Sequence, residues 1–176
     1  MKPGKRLWLR GLLGFLAGIV AVTAYGTWGM RPGVVSCAGF EAPTVVVETA
    51  SHTLALCEGG ATAGAYRVRL GKHGTGKTRE GDEKTPLGRY SLGGPRGSIP
   101  FATFIPIAYP TPAQKNLGYT GSAVGVHGPD RRVKWVGPLV NAFDTTDGCV
   151  GIATDREMEA IASWVRERKP KEIVLR

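Results

Sequence analysis

Histidine and cysteine are scarce in this chain, with three of each in 176 residues. A zinc site is excluded on that ground, because Cys149 and His127 lack third and fourth ligands at workable spacing. Acidic residues are also short, 14 against 23 Lys and Arg, for a net charge of +9. Five of the basic residues and none of the acidic ones fall in residues 1–31, so the remainder carries +4. A nucleic-acid partner thereby loses its electrostatic support. A charge of +4 suits a domain facing an anionic wall or membrane surface. An all-helical bundle is excluded by an opposite imbalance: Gly and Pro number 26 and 12, and both weaken helix interiors. No repeat and no low-complexity segment is present. The apolar fraction, 42%, is ordinary and excludes wholesale disorder. The length holds one medium domain plus a short appendage rather than two full domains.

The appendage is N-terminal. Lys2, Lys5, Arg6 and Arg10 precede a charge-free stretch over residues 11–30. A charged start and an apolar run are the pattern of a secretory signal peptide, with Val22-Thr23-Ala24 as a small-residue cleavage site. Twenty such residues also suffice to cross a bilayer, so residues 1–30 read as a signal peptide or an N-terminal membrane anchor. The positive flank stays cytoplasmic in both cases. The rest is expected to be exported, in the periplasm or cell envelope, and tethered to the inner membrane if the segment is uncleaved. Membrane contact is expected through residues 11–30 alone. Val34-Val35-Ser36-Cys37 offers a third reading, an acylated Cys37, but Arg31 and Pro32 separate it from the apolar run.

Residues 31–43 read as a linker and residues 44–176 as the domain. Thr44–Glu48 and Thr53–Cys57 are β-rich runs around a turn, which predicts a hairpin. Ala65–Leu70 alternates apolar and charged residues, as a strand with one wet face does. Between Gly71 and Pro138, 21 of 68 residues are Gly or Pro. Short strands are expected there, over Gly88–Leu92, Ala102–Tyr109, Ala123–His127 and Arg132–Val136. Thr154-Asp155-Arg156-Glu157 is a capping-box sequence, and Met158, Ile161, Ala162 and Val165 form one apolar stripe behind it. That helix ends at Pro170, and Glu172–Arg176 reads as a last strand. The fold class is mostly β with one packed helix near the C-terminus.

Gly71–Thr78 fits the phosphate-loop pattern G-x-x-x-x-G-K-[ST]. Its context does not. Gly81 and Pro86 oppose the helix that must follow, and Arg67 and Arg69 mark the preceding strand as unlike a fully buried parallel one. The segment reads as a solvated basic loop.

Cys149 lies in Thr146-Asp147-Gly148-Cys149, between a polar turn and the capped helix. Gly148 permits tight geometry and leaves room for a carbonyl to approach. A thiol there is either an accessible nucleophile or a small buried hydrophobe. His52 and His73 fall in loops. His127 ends the strand Ala123–Val126 beside Gly128-Pro129, a position that suits a general base. A Cys–His pair performs nucleophilic acyl transfer. Asp130, Asp144, Asp147 or a backbone carbonyl can each orient the imidazole.

Four ordered segments resemble the L,D-transpeptidase catalytic domain of the YkuD type. They are Val126-His127-Gly128, Thr146-Asp147-Gly148-Cys149, the run Gly81-Asp82-Glu83-Lys84-Thr85-Pro86-Leu87-Gly88-Arg89-Tyr90, and Ala108-Tyr109-Pro110. The likeness covers residues 44–176. It implies a β-rich sandwich or barrel and peptidoglycan stem peptides as substrate. It further implies Cys149 as nucleophile, His127 as base, and the backbone amides of Gly148 and Cys149 as oxyanion hole. Tyr109, Gly128, Thr146 and Asp147 are expected to contact substrate. A tetrapeptide stem would lose D-Ala and remain as a thioester. The acceptor would be an amine, on another stem or a wall-attached protein, or water in an amidase or L,D-carboxypeptidase. No cofactor and no metal is implied. A non-catalytic wall-binding domain is the reading from another class.

Two positions depart from the family pattern. Asp147 stands where many members have His, which resembles a subset that includes hydrolases of wall-attached proteins. Gly151 stands where many have Arg, and Arg131 or Arg132 is the expected substitute for holding a stem carboxylate. The thiols then sort as two plus one. Export favours disulfides, and the hairpin brings Cys37 and Cys57 to its open end, predicting a bridge that leaves Cys149 free.

Overall fold

The computed structural model describes residues 31–176. Nine strands build one curled sheet: β1 (Thr44–Glu48), β2 (Thr53–Glu58), β3 (Ala61–Arg69), β4 (Gly88–Ser91), β5 (Arg96–Ser98), β6 (Ala102–Pro106), β7 (Gly125–His127), β8 (Val150–Ile152) and β9 (Glu172–Leu175). Their order is β4-β9-β1-β2-β3-β8-β7-β6-β5. Helix α1 spans Pro112–Asn116, a 3-10 segment spans Lys134–Ala142, and α2 spans Asp155–Arg168. The mostly-β architecture with one main helix is as expected. The signal or anchor reading concerns residues outside those described. Among the described residues no helix is long and apolar enough to cross a membrane.

The expected hairpin forms, with Thr44 opposite Cys57 and Glu48 opposite Thr53. β1 is covered on both faces, which is why its run Val45-Val46-Val47 is wholly apolar and wholly buried. On one face Val45 and Val47 join the main core with Met158, Ile161 and Val165 of α2. Each such buried side chain contributes about 1.5–3 kcal/mol relative to exposure. On the other face Val46 meets Val35, Cys37, Ala55 and Cys57. Residues read as linker are therefore anchored to the sheet here. The predicted bridge is present: Cys37 and Cys57 are disulfide-bonded, with Cα atoms 5.4 Å apart. With its sulfur in that bond, Cys37 is not a lipidation site.

β3 joins the two halves of the sheet. Residues 61–67 pair with β2 around a bulge at Ala63, while Val68 and Arg69 pair with Ile152 and Gly151 of β8. β8 in turn runs parallel to β7, and α2 packs against β6 and β8. The helix starts at Thr154, whose hydroxyl accepts from the Glu157 amide at 3.2 Å and donates to the Glu157 carboxylate at 2.9 Å. It stops at Lys169, which adopts the left-handed conformation before Pro170.

Three local expectations differ. Arg132–Val136 is not a strand. The Asp130 carboxylate accepts from the Arg132 amide at 2.9 Å and closes a turn, and the 3-10 segment follows, broken at Gly137-Pro138. Trp135 is 83% exposed, so no sheet partner covers this stretch. Second, α1 was missed although Thr111-Pro112-Ala113-Gln114 forms a full capping box with Pro in the first turn. Third, Lys77 of the basic loop is buried, its ammonium donating to Asp82 Oδ1 at 2.8 Å and to the Arg79 carbonyl at 3.0 Å. No helix follows this loop directly, as expected for a segment that is not a phosphate loop.

Candidate active site

The register of three neighbouring strands sets the site. Gly151 of β8 pairs with Arg69 on one side and His127 on the other. Paired residues project from the same face, and so do residues two apart on one strand. Cys149, two residues before Gly151, is thus carried to the same face as His127, one diagonal step away. Both side chains line a cavity of about 780 Å³, together with Arg69, Lys77, Phe101, Thr146 and Asp147.

The turn holding Cys149 is tied internally. The Thr146 hydroxyl donates to the Cys149 carbonyl at 2.7 Å and accepts from the Gly148 amide at 3.2 Å. Gly148 has φ of +124°, and a Cβ there would lie 2.6 Å from the Lys84 carbonyl oxygen. Only glycine permits that approach. The turn consequently rests on Glu83-Lys84, part of the Gly81–Tyr90 segment. That segment is itself stapled. Asp82 accepts from Lys77 Nζ and from the amides of Thr78, Arg79 and Lys84. The buried Thr85 hydroxyl accepts from the Gly71 amide at 2.8 Å. At the rim, Lys72 bridges Asp147 at 2.7 Å and Glu83 at 3.1 Å.

Cys149 is half-buried, and its Sγ lies 3.6 Å from the Ala123 carbonyl, a donor geometry that needs the thiol proton. Burial pushes the thiol above its ordinary pKa. The Asp147 carboxylate acts in the same direction, while the Gly125 amide and the Lys77 ammonium oppose it. His127 is 3% exposed and stacks on Phe101, ring centroids 3.7 Å apart. Its Nδ1 lies 2.7 Å from the Gly128 carbonyl. A carbonyl only accepts, so Nδ1 carries the proton and Nε2 keeps its lone pair. Burial lowers the imidazole pKa to about 4. The backbone carbonyl orients the imidazole. Asp144 is occupied by His52 at 3.0 Å and the Leu70 amide at 2.7 Å.

Other expected residues are distributed unevenly. Thr146 and Asp147 line the cavity, and Arg131 does not. Tyr109 is buried and donates to the Lys77 carbonyl at 3.1 Å, so it supports the floor instead of facing substrate. Gly128 serves through its carbonyl. The Gly148 amide is bonded to the Thr146 hydroxyl, whereas the amides of Asp147 and Cys149 have no acceptor among the described residues, and that of Cys149 adjoins the thiol. Arg69, read as a wet-face residue, is 4% exposed and lines the cavity. Its signal in the sequence was indirect, a glycine on the neighbouring strand. Among the described residues no group of three or more His, Cys, Asp or Glu side chains is placed to hold a metal.

A β-rich sheet that presents a free thiol and a neutral imidazole to one cavity defines a narrow class. The family model of the L,D-transpeptidase catalytic domain, YkuD, matches residues 42–173. The chain belongs to that family. Among solved structures, the helical cell shape determining protein Pgp2 from Campylobacter jejuni is similar at 20% identity and a TM-score of 0.64, over 86% of this chain and 54% of that one. Bdellovibrio bacteriovorus Bd1075 is similar at 19% identity and a TM-score of 0.56, over 81% and 53%. An Enterococcus faecium L,D-transpeptidase, crystallised as a cysteine-to-serine mutant, follows at 15% and 0.52, over 77% and 50%. The chain thus spans about half the length of these proteins. No curated protein sequence matches it.

Proposed function

We propose that this protein is an exported cysteine acyltransferase acting on peptidoglycan stem peptides. His127 Nε2 takes the Cys149 proton as sulfur attacks the carbonyl of the third, diamino-acid residue of a tetrapeptide stem. The Cys149 amide donates to the oxyanion. As the tetrahedral intermediate collapses, the C–N bond breaks and the imidazolium returns its proton to the leaving amine. D-Ala departs and a thioester remains. An amine on another stem or on a wall-attached protein then takes the acyl group and frees the thiol. One observation carries the reading: the β7–β8 register sets a thiol and an imidazole with a free Nε2 on one face of one cavity. Family membership supports the substrate class, and so does the likeness to Pgp2, a helical cell shape determining protein. Export rests on the pattern of residues 1–30.

Water as acceptor gives an L,D-carboxypeptidase or amidase with the same residues. The half-exposed thiol beside Asp147, whose side chain is 81% exposed at the mouth, favours this second reading. Incubation with tetrapeptide muropeptides separates the two. Loss of D-Ala with 3–3 linked dimers means transfer, and loss of D-Ala alone means hydrolysis. No release, with no carbapenem adduct on Cys149 in intact-mass spectra, would leave a wall-binding domain. Activity retained by Cys149→Ala would refute the nucleophile.

A further inference from the structure

Arg69 is a buried cation at the cavity with no carboxylate in ion-pair range among the described residues. Its Nη1 donates to Asn141 Oδ1 at 3.1 Å and to the Ile152 carbonyl at 3.3 Å, both neutral acceptors. Its Nε and Nη2 have no acceptor among the described residues. Asp130, whose field reaches it, is held by Arg132 through both oxygens. Taking a guanidinium out of water against neutral partners is costly. The Cys–His pair does not call for it, since a positive charge beside His127 opposes protonation of the base.

The side chain has a defined direction. A Cβ on Gly151 would lie 2.7 Å from Cγ, Nε and Cζ of Arg69. Arg69 therefore lies flat over Gly151, from β3 across β8 toward His127 on β7. Any larger residue at 151 would displace it. Arg131 is exposed and away from the cavity, and Arg132, at the cavity rim, is exposed and has its guanidinium engaged with Asp130, so Arg69 is the buried arginine of the cavity with open donors.

We infer that Arg69 binds the terminal carboxylate of the leaving D-amino acid. The inference rests on the acyl-transfer reading above. In that reaction the departing amine receives its proton from His127 Nε2. The carboxylate of the departing residue is one carbon from that amine, within reach of a guanidinium one strand further on. The planar fork of arginine matches a carboxylate through two N–H donors, and Nε and Nη2 are the pair left open.

The test is a substrate comparison. D-Ala release is measured from a tetrapeptide stem with its terminal carboxylate free, with that group as a carboxamide, and with only the diamino-acid side carboxylate amidated. Wild type is expected to favour the free acid over the carboxamide by about 10- to 100-fold in kcat/KM. Arg69→Gln should bring that ratio to within about twofold by slowing the free-acid substrate selectively. Arg69→Lys, which keeps a point charge, should retain part of the ratio and serves if the Gln variant does not fold. A purely structural role would slow all three substrates alike. A wild-type enzyme indifferent to the carboxamide, or a preference that survives Arg69→Gln, would overturn the assignment. So would an Arg69→Gln effect confined to the side-carboxylate substrate. Absence of release from every substrate would instead remove the acyl-transfer reading, and Arg69 with it.

Discussion

Titration of His127 tests the site chemistry most directly. Burial holds its pKa at about 4, against about 6.5 for a free imidazole. Burial also raises the Cys149 thiol. Both shifts favour a neutral thiol and neutral imidazole over a thiolate–imidazolium pair, so the proton moves during attack. The acid limb of kcat/KM, which reports free-enzyme groups, is expected near pH 4. At pH 5.5 almost all of the base would be active, whereas a histidine titrating near 6.5 would leave about a tenth. The same shift predicts a stability change. Between pH 6.5 and 4 the unfolded chain protonates this histidine and the folded chain does not. The contribution is therefore complete above pH 6.5 and falls as pH drops toward 4, by about 3 kcal/mol over some 2.5 pH units. Carbapenem acylation rates and thermal melts from pH 4 to 8, with His127→Gln as control, measure both effects. An acid limb near pH 6.5, or iodoacetamide alkylation of Cys149 that is already fast and flat below pH 6, would refute the reasoning.

Other outcomes are expected elsewhere. Reduction of Cys37–Cys57 opens a separation of 20 residues and should cost about 3 kcal/mol, lowering Tm by about 6–12 °C for a domain of this size. Calorimetry with and without reductant checks it, and an unchanged melt would count against the bridge. Asp82→Ala leaves the buried Lys77 ammonium without its counter-charge and should destabilise by about 3 kcal/mol, read by urea titration. Gly148→Ala meets both the Lys84 carbonyl and a φ of +124°. It should lose about 1–3 kcal/mol and slow Cys149 acylation at least tenfold. Wild-type acylation in that variant would mean the turn does not position the thiol.

Much of the site was legible because its chemistry sits in short contiguous strings. A glycine before a thiol and a histidine ending an apolar strand are local patterns. The residues around them were harder to place. Tyr109 belonged to a matching segment, yet its ring went into the core because Ile107 and Tyr109 face inward, beside Tyr90. Arg132–Val136 alternates like a strand but found no partner, and an aspartate cap with Gly137-Pro138 made it a turn and 3-10 segment instead.

The residues alone determined the apolar runs of the hairpin, the capped helix and the pairing of Cys37 with Cys57, and they singled out the thiol and imidazole proposed as the reactive pair. Each depends on neighbours a few positions apart, or on a hairpin whose ends must meet. The tertiary structure decided what orients His127, that Thr146 takes the Gly148 amide, and that Arg69 lies buried at the cavity. Alternation marked Arg69 as solvent-facing, and Lys77 was read as part of a solvated loop. Burial is instead set by what lies across the sheet, and β3, β7 and β8 come from distant parts of the chain. Only their pairing puts Arg69 over Gly151 and beside His127.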